Sequence, residues 1–332
     1  DEGCQASDSM DPSTDMEYLG SFKMPSIDEY GYSGYGMTFY PGGDGGNGSL
    51  YIGMGNQNSD SRTYVSEISI PEPVISKDID DLNSAIEIQG FRSITSIPGD
   101  PNMDRLGDIA YLEMQGSQTS DKIYWVGYEW YNTDNTDYDS IGMSDLNLSS
   151  PNTQGAWDYA GANLDGMHLF SADQGWADQH LGGKYLLSGR MRGGANFGSR
   201  GPNLYAIAPW QDGNPPAAGE QLNATLLLQY ENDPDTFPNT TYPDWAANDY
   251  FHSGAFLKRG DKQAIIFTGK KCVGGYHYGA GGWICDGHHE NWIAWYSVDD
   301  IEDVIHGVKN PDEPIPYSYE IPGDSISWGS GG

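Results

Sequence analysis

Short runs of alternating Tyr, Ile, Val and Trp, set between Gly/Asp/Asn/Pro turns, predict an all-β chain. No amphipathic helix of more than about two turns interrupts them, apart from VDDIEDVIHGV at 298–308. A unit of four strands then recurs along the chain, and that repetition points to a β-propeller. The competing reading is a β-sandwich whose strands merely look alike.

The repeats carry the argument in order. A small-residue strand, a polar turn and an apolar strand closing on glycine occur at GMTFYPGGDGGNGSLYIG (36–53) and GDIAYLEMQGSQTSDKIYWVG (107–127). The same layout is read at GWADQHLGGKYLLSG (175–189) and GAFLKRGDKQAIIFTG (254–269). Third strands follow at YVSEISIP, SIGMSDLNL, PNLYAIAPW and NWIAWYSV, and fourth strands at SAIEIQGF, GAWDYAG, ATLLLQYE and PYSYEI. Four repeats are visible, so the ring has four or five blades. EYLGSFKMP reads as a spare outer strand that closes the ring against the last blade or belongs to a fifth. Residues 1–15 lack an apolar pattern and read as a flexible tail, which leaves 16–332 as a single propeller domain.

Charge narrows the partners. Against 48 acidic residues stand 16 Lys and Arg, a formal net charge of −32 over 332 residues. Nucleic acid and anionic membrane surfaces need a basic footprint, so neither is expected as a partner. No stretch approaches the roughly 18–20 apolar residues of a membrane span. The plain meaning of the acidity is solubility.

Cys272 and Cys285 flank a short loop rich in glycine and aromatic residues, a sensible pair for a disulfide. Zinc bound with the neighbouring histidines is the alternative. Cys4 is left over in the tail. Asp1 is not an initiator methionine, and N-x-S/T triplets begin at Asn47, Asn147, Asn223 and Asn239. Together these predict a processed glycoprotein, secreted or on the cell surface.

Propeller geometry sorts the loops. Connections from second to third strands, and from fourth strands to the next blade, emerge on one face. Here they are the long ones: 55–64, 128–140, 190–202 and 270–291, with 25–35, 96–106, 160–174 and 232–253. Function concentrates on such loops.

Arg190, Arg192, Arg200, Lys270 and Lys271 all fall in two of these loops, a cationic cradle for carboxylate or sulfate. The plain alternative is local neutralisation of acidic neighbours. His252 lies just before the fourth repeat, while His277 and the pair His288–His289 lie in the cysteine-flanked loop with Tyr276 and Tyr278. Cation, histidine and tyrosine are the groups a polysaccharide lyase needs. The cation offsets a uronate carboxylate, a base removes the adjacent C–H proton, and a His or Tyr protonates the leaving oxygen. His277, His288, Tyr276 and His252 are therefore the catalytic candidates. Arg190, Arg192, Lys270, Trp130, Glu129 and Trp292 are the substrate-binding ones. Each has a plainer alternative in loop packing or hydrogen bonding. Asp108 and Glu129 would instead serve as the carboxylate pair of a glycosidase. Asp104 and Asp108 could bind calcium, the one cofactor the sequence suggests. His180 and His306 lie on the opposite face or a third-to-fourth connection, outside this constellation. No G-x-S-x-G elbow, P-loop, Rossmann fingerprint or H-E-x-x-H is present, which argues against serine-hydrolase, nucleotide and zincin chemistry.

EYLGSFKMP, SLYIGMGN, VSEISIP, RGPNLYAIAPW, FTGKK and GYHYG resemble a group of secreted bacterial propeller proteins of no settled function. More remotely, blade count and size are similar to the five-bladed propeller glycosidases. The resemblance implies the fold and an extracellular location. The expectation is an extracellular β-propeller that binds, and as a lyase or glycoside hydrolase cleaves, an acidic polysaccharide. Its partner is an extracellular glycan or small anionic ligand. The competing expectations are a non-catalytic structural or adhesive surface protein that self-assembles into filaments or layers, and a calcium-dependent propeller hydrolase.

Overall fold

A computed structural model describes residues 9–54, 63–95, 105–129, 136–162, 164–191, 201–213, 215–230, 249–279 and 282–320. Its strands form four four-stranded antiparallel sheets, each running in chain order from the inner edge outward, and one separate two-stranded hairpin. Blade 1 holds β1 (Ser33–Tyr40), β2 (Ser49–Met54), β3 (Tyr64–Ser69) and β4 (Glu87–Ser93). Blade 2 holds β5 (Arg105–Leu112), β6 (Lys122–Tyr128), β7 (Ile141–Asp145) and β8 (Gln154–Trp157). Blade 3 holds β9 (His168–Ser171), β10 (Leu186–Gly189), β11 (Asn203–Ile207) and β12 (Thr225–Gln229). Blade 4 begins with β13 (Tyr250–Arg259) and β14 (Lys262–Val273), then carries a small hairpin of β15 (Tyr276–Gly279) and β16 (Gly282–Cys285). It ends with β17 (His288–Tyr296) and β18 (Ser318–Glu320). The described residues form a four-bladed β-propeller, which decides between the four and five blades expected.

The blade 2 sheet is buried on both faces, and β6 shows how the sequence arranges it. Successive side chains point to opposite faces. Ile123 and Trp125 enter a core shared with Tyr51 and Val65 of blade 1, while Tyr124 and Val126 enter one shared with Leu186 and Leu204 of blade 3. Gly142 of β7 makes room for Trp125, since a Cβ there would stand 2.1 Å from the indole. Emptying the Trp125 site would cost about 3–5 kcal/mol.

Between blades 4 and 1 the core is completed from the N-terminal segment. Met10 is buried against Ala264, Ile266 and Trp295, on the blade 4 face turned away from blade 3. Its N–H donates to Gln263 O at 3.3 Å, its carbonyl accepts from Tyr317 Oη at 2.7 Å, and Lys262 pairs with Asp15 at 2.7 Å. Past the single turn of α1 (Pro12–Asp15), Phe22 and Met24 pack on Ile52, Ile68 and Ala85, the blade 1 face turned away from blade 2. Ser21 N–H bonds Val74 O at 3.0 Å, and Lys23 N–H bonds Asn83 O at 2.7 Å. EYLGSFKMP is thus neither an outer strand of the last blade nor part of a fifth. It is a strap joining blade 4 to the β3–β4 connection of blade 1. Residues 9–15, expected in the tail, are docked as part of it.

The third repeat also differs from its reading. GWADQH lies in the helix α2 (Gln174–His180), and the inner strand is β9, upstream of it. Asp173 caps the helix by accepting from Trp176 N–H, and the run contains no β-branched residue, so helix wins locally. The helix expected at 298–308 is present as α3 (Val298–Ile305), burying Val298, Ile301 and Val304. Both helices lie on the face opposite the long loops.

Candidate functional site

Asp108 sits where the four inner strands converge. Its Oδ1 accepts from Ile109 N–H at 2.9 Å, and its Oδ2 accepts from Leu169 N–H of β9 at 3.1 Å and from Ser253 Oγ of β13 at 2.9 Å. The Met37 N–H of β1 also donates to it. Gly36, at φ +85°, permits the approach, because a Cβ there would lie 2.8 Å from Asp108 Cα. The side chain has no solvent exposure, and burial pushes its pKa up to about 7 against the donors that pull it down. Sequence reasoning offered Asp108 as a calcium ligand or half of a glycosidase pair. The structure occupies both oxygens with strand donors and makes the residue an axial tie between blades. Asp104 lies outside the described residues, and among those described no group of three or more His, Cys, Asp or Glu gathers to hold a metal. Glu129 is half-buried, and its Oε2 is sealed without a hydrogen-bond partner among the described residues.

Arg190 is buried at the blade 2–blade 3 boundary rather than displayed to solvent. Its Nη1 donates to Asp165 O at 2.8 Å, and its guanidinium stands 5.6 Å from the centre of the Tyr128 ring. Below it, Asp165 accepts from Ser140 Oγ at 2.7 Å and hydrogen-bonds the Asp158 carboxyl, an arrangement that needs a proton between them. Burial first, then Asp158, holds the Asp165 pKa well above the carboxylate range. Asp158 in turn accepts from Tyr159 N–H at 2.7 Å and Gln221 Nε2 at 3.2 Å. Nearby, His168 was not singled out by the sequence. It lies against Phe267 with ring centres 5.3 Å apart, and burial lowers its pKa to about 3, which keeps it neutral.

The exposed chemistry is on blade 4. Strands β14 and β17 run on past the blade as a two-stranded finger, pairing Lys270 with Asn291, Lys271 with Glu290, Cys272 with His289 and Val273 with His288. The period of two divides these residues between two sides. On one side, Lys270 Nζ stands 4.2 Å from the centre of the Tyr250 ring, which is itself buried in the core shared with blade 3, and exposed His252 stacks on the same ring at 5.5 Å and 7°. His289 shares that side, and both histidines are exposed.

On the other side the groups serve the fold. Lys271 Nζ pairs at 3.1 Å with Asp249, whose carboxylate is fully buried and also accepts from Cys272 N–H at 2.7 Å. Lys271 also lies 4.9 Å from the Trp292 ring centre, and Trp292 stacks on Tyr319 at 5.0 Å. Exposed His288 meets Glu290 at 2.9 Å through Nε2. Cys272 and Cys285 form the expected disulfide, with Cα atoms 5.7 Å apart, and this overturns the zinc alternative.

The predicted constellation is therefore divided. Lys270 and His252 share one side of the finger, His288 and Trp292 take the other, and Arg190 points into a different inter-blade space. Tyr276 and His277 are placed by backbone in β15, opposite Cys285 and Ile284. Arg192, Arg200 and Trp130 lie outside the described residues. Tyr250 and Asp249 were missed. Their signal was present in NDYFH, immediately before the fourth repeat, where Asp and Tyr adjoin the His252 that was noticed. Comparison with known proteins found no matching family model, no matching curated protein and no matching solved structure.

Proposed function

We propose that the protein binds an acidic polysaccharide along the side of the blade 4 finger that carries Tyr250, His252, Lys270 and His289. The supporting observation is the row in which the Lys270 ammonium and the His252 imidazole both contact the Tyr250 ring. A uronate or sulfated sugar brings an anion for the Lys270 ammonium and hydroxyls for the exposed His252 and His289 imidazoles, with the buried Tyr250 ring holding Lys270 and His252 in place. In a molecule of net charge −32, such a row is a local exception that gives an anionic ligand its place to bind. The disulfide fits an oxidising, extracellular compartment, and Asn47, Asn147 and Asn223 are exposed as glycan acceptors would be. The likeness of the blade strands to secreted bacterial propellers points the same way.

For cleavage, the same row supplies the parts of a β-elimination. Lys270 offsets the uronate carboxylate, and the His252 imidazole takes the proton from the carbon beside it. The electron pair forms the C=C bond as the glycosidic oxygen leaves and acquires a proton from a neighbouring acid. The test is a panel of uronate-containing and sulfated glycans, followed by binding, by unsaturated-product absorbance and by new reducing ends, with and without a chelator. Binding with absorbance supports a lyase, and binding alone supports a lectin-like role. New ends without absorbance mean hydrolysis, whereas chelator-sensitive ends would revive calcium. No binding across the panel would contradict the proposal and favour a structural surface protein.

A further inference from the structure

On the face opposite the loops, α2 and α3 end beside each other, and a histidine closes each end. His180 is the last residue of α2, and His306 is the C-cap of α3. His180 Nδ1 lies 3.3 Å from His306 Nε2. Two imidazole nitrogens bound to one tetrahedral ion at 2.0–2.1 Å stand about 3.3 Å apart, so this spacing is that of two ligands on a shared centre. The remaining nitrogen of His180, Nε2, has Glu302 Oε1 at 3.5 Å, and Trp176 Nε1 donates to that same oxygen at 2.7 Å. A carboxylate behind a histidine holds its proton on the far nitrogen and directs the other lone pair outward, the usual outer support of a metal-binding imidazole. Trp176 also stacks on the His180 ring at 5.8 Å and 25°, which fixes its plane.

We propose that His180 and His306 chelate a divalent first-row transition ion, zinc or copper, with Glu302 orienting His180 from behind. Imidazole suits these ions, and copper should bind more tightly than zinc. The carbonyl ends of both helices add partial negative charge, and the strongly acidic chain raises the local cation concentration. No third His, Cys, Asp or Glu joins the pair among the described residues, so water fills the remaining positions and the site stays open. His180 is partly sheltered and His306 is exposed, which gives the ion an entry route. The proposal is independent of glycan binding on the other face.

The test is equilibrium dialysis of the full chain against ZnCl2 and against CuSO4, with bound metal measured. His306→Ala is compared with the wild type and with a His288→Ala/His289→Ala control on the finger. His306 is exposed, so its removal leaves the packing of α3 in place, which a melting curve checks. The expected result is loss of one bound equivalent, or at least about tenfold weaker binding, in His306→Ala, with that equivalent retained in the finger control. Glu302→Gln should keep the stoichiometry and weaken binding by about tenfold or more. Equal binding by wild type and His306→Ala, or no binding by the wild type, would overturn the proposal and leave the pair as an interhelix hydrogen bond.

Discussion

Ser253 Oγ donates to Asp108 Oδ2 across 2.9 Å, joining residues 145 positions apart in the chain. With Met37 and Leu169 donating to the same carboxyl group, one side chain engages the inner strand of every blade. Asp108→Ala would strand these donors in the interior, each at about 1–3 kcal/mol, so a loss of roughly 3 kcal/mol or more is expected in denaturant melts.

The same carboxyl gives a pH signature. Its pKa is raised in the fold, from 3.8 to about 7, so the fold favours the protonated form. The resulting stabilisation is complete below the unfolded value of 3.8 and is lost as pH rises through about 7. Thermal melts from mildly acidic to mildly alkaline pH should show stability falling through that window. Asp108→Asn, which cannot ionise, should flatten that part of the slope, and an unchanged slope would refute the assignment.

Arg190 and Lys270 should behave differently although both were expected to hold ligand. Arg190→Ala leaves the buried Asp165 carbonyl without its 2.8 Å donor and should lower stability by about 1–3 kcal/mol. Lys270→Ala removes a half-buried cation over a tyrosine and should leave the melting temperature nearly unchanged. Equal shifts in the two melting curves would contradict this division.

The strap predicts a specific weakness. Met10→Ala should cost about 2–4 kcal/mol by opening the apolar contact on blade 4. Hydrogen exchange should then quicken first at the blade 4–blade 1 boundary, around Ala264 and Ala85, rather than in β6. Uniform quickening through all blades would show that the strap is not a separate closing element.

Blade strands were legible because their signal is local: alternating apolar residues bounded by glycine and proline. The disulfide was legible for a similar reason, two cysteines flanking one short loop. The strap was not, because Phe22 and Met24 look like strand residues and only the ring decides what they cover. GWADQH was read as a strand by analogy with the other repeats, although the Asp173 cap already favoured a helix. The candidate site was half-legible. Lys270 and His252 were found by residue type, yet nothing local in the sequence shows that Arg190 is buried or that Lys271 is neutralised by Asp249, since both facts depend on strand register and blade packing.

The most direct test of the account is the affinity of a uronate oligosaccharide for wild type and Lys270→Ala, measured by titration calorimetry at neutral pH and moderate salt. A drop of about tenfold or more with an unchanged melting temperature is the predicted result, in keeping with loss of a charge-assisted contact of about 1.5–3 kcal/mol. Wild-type affinity in a folded Lys270→Ala protein would contradict the placement of the ligand on this side of the finger.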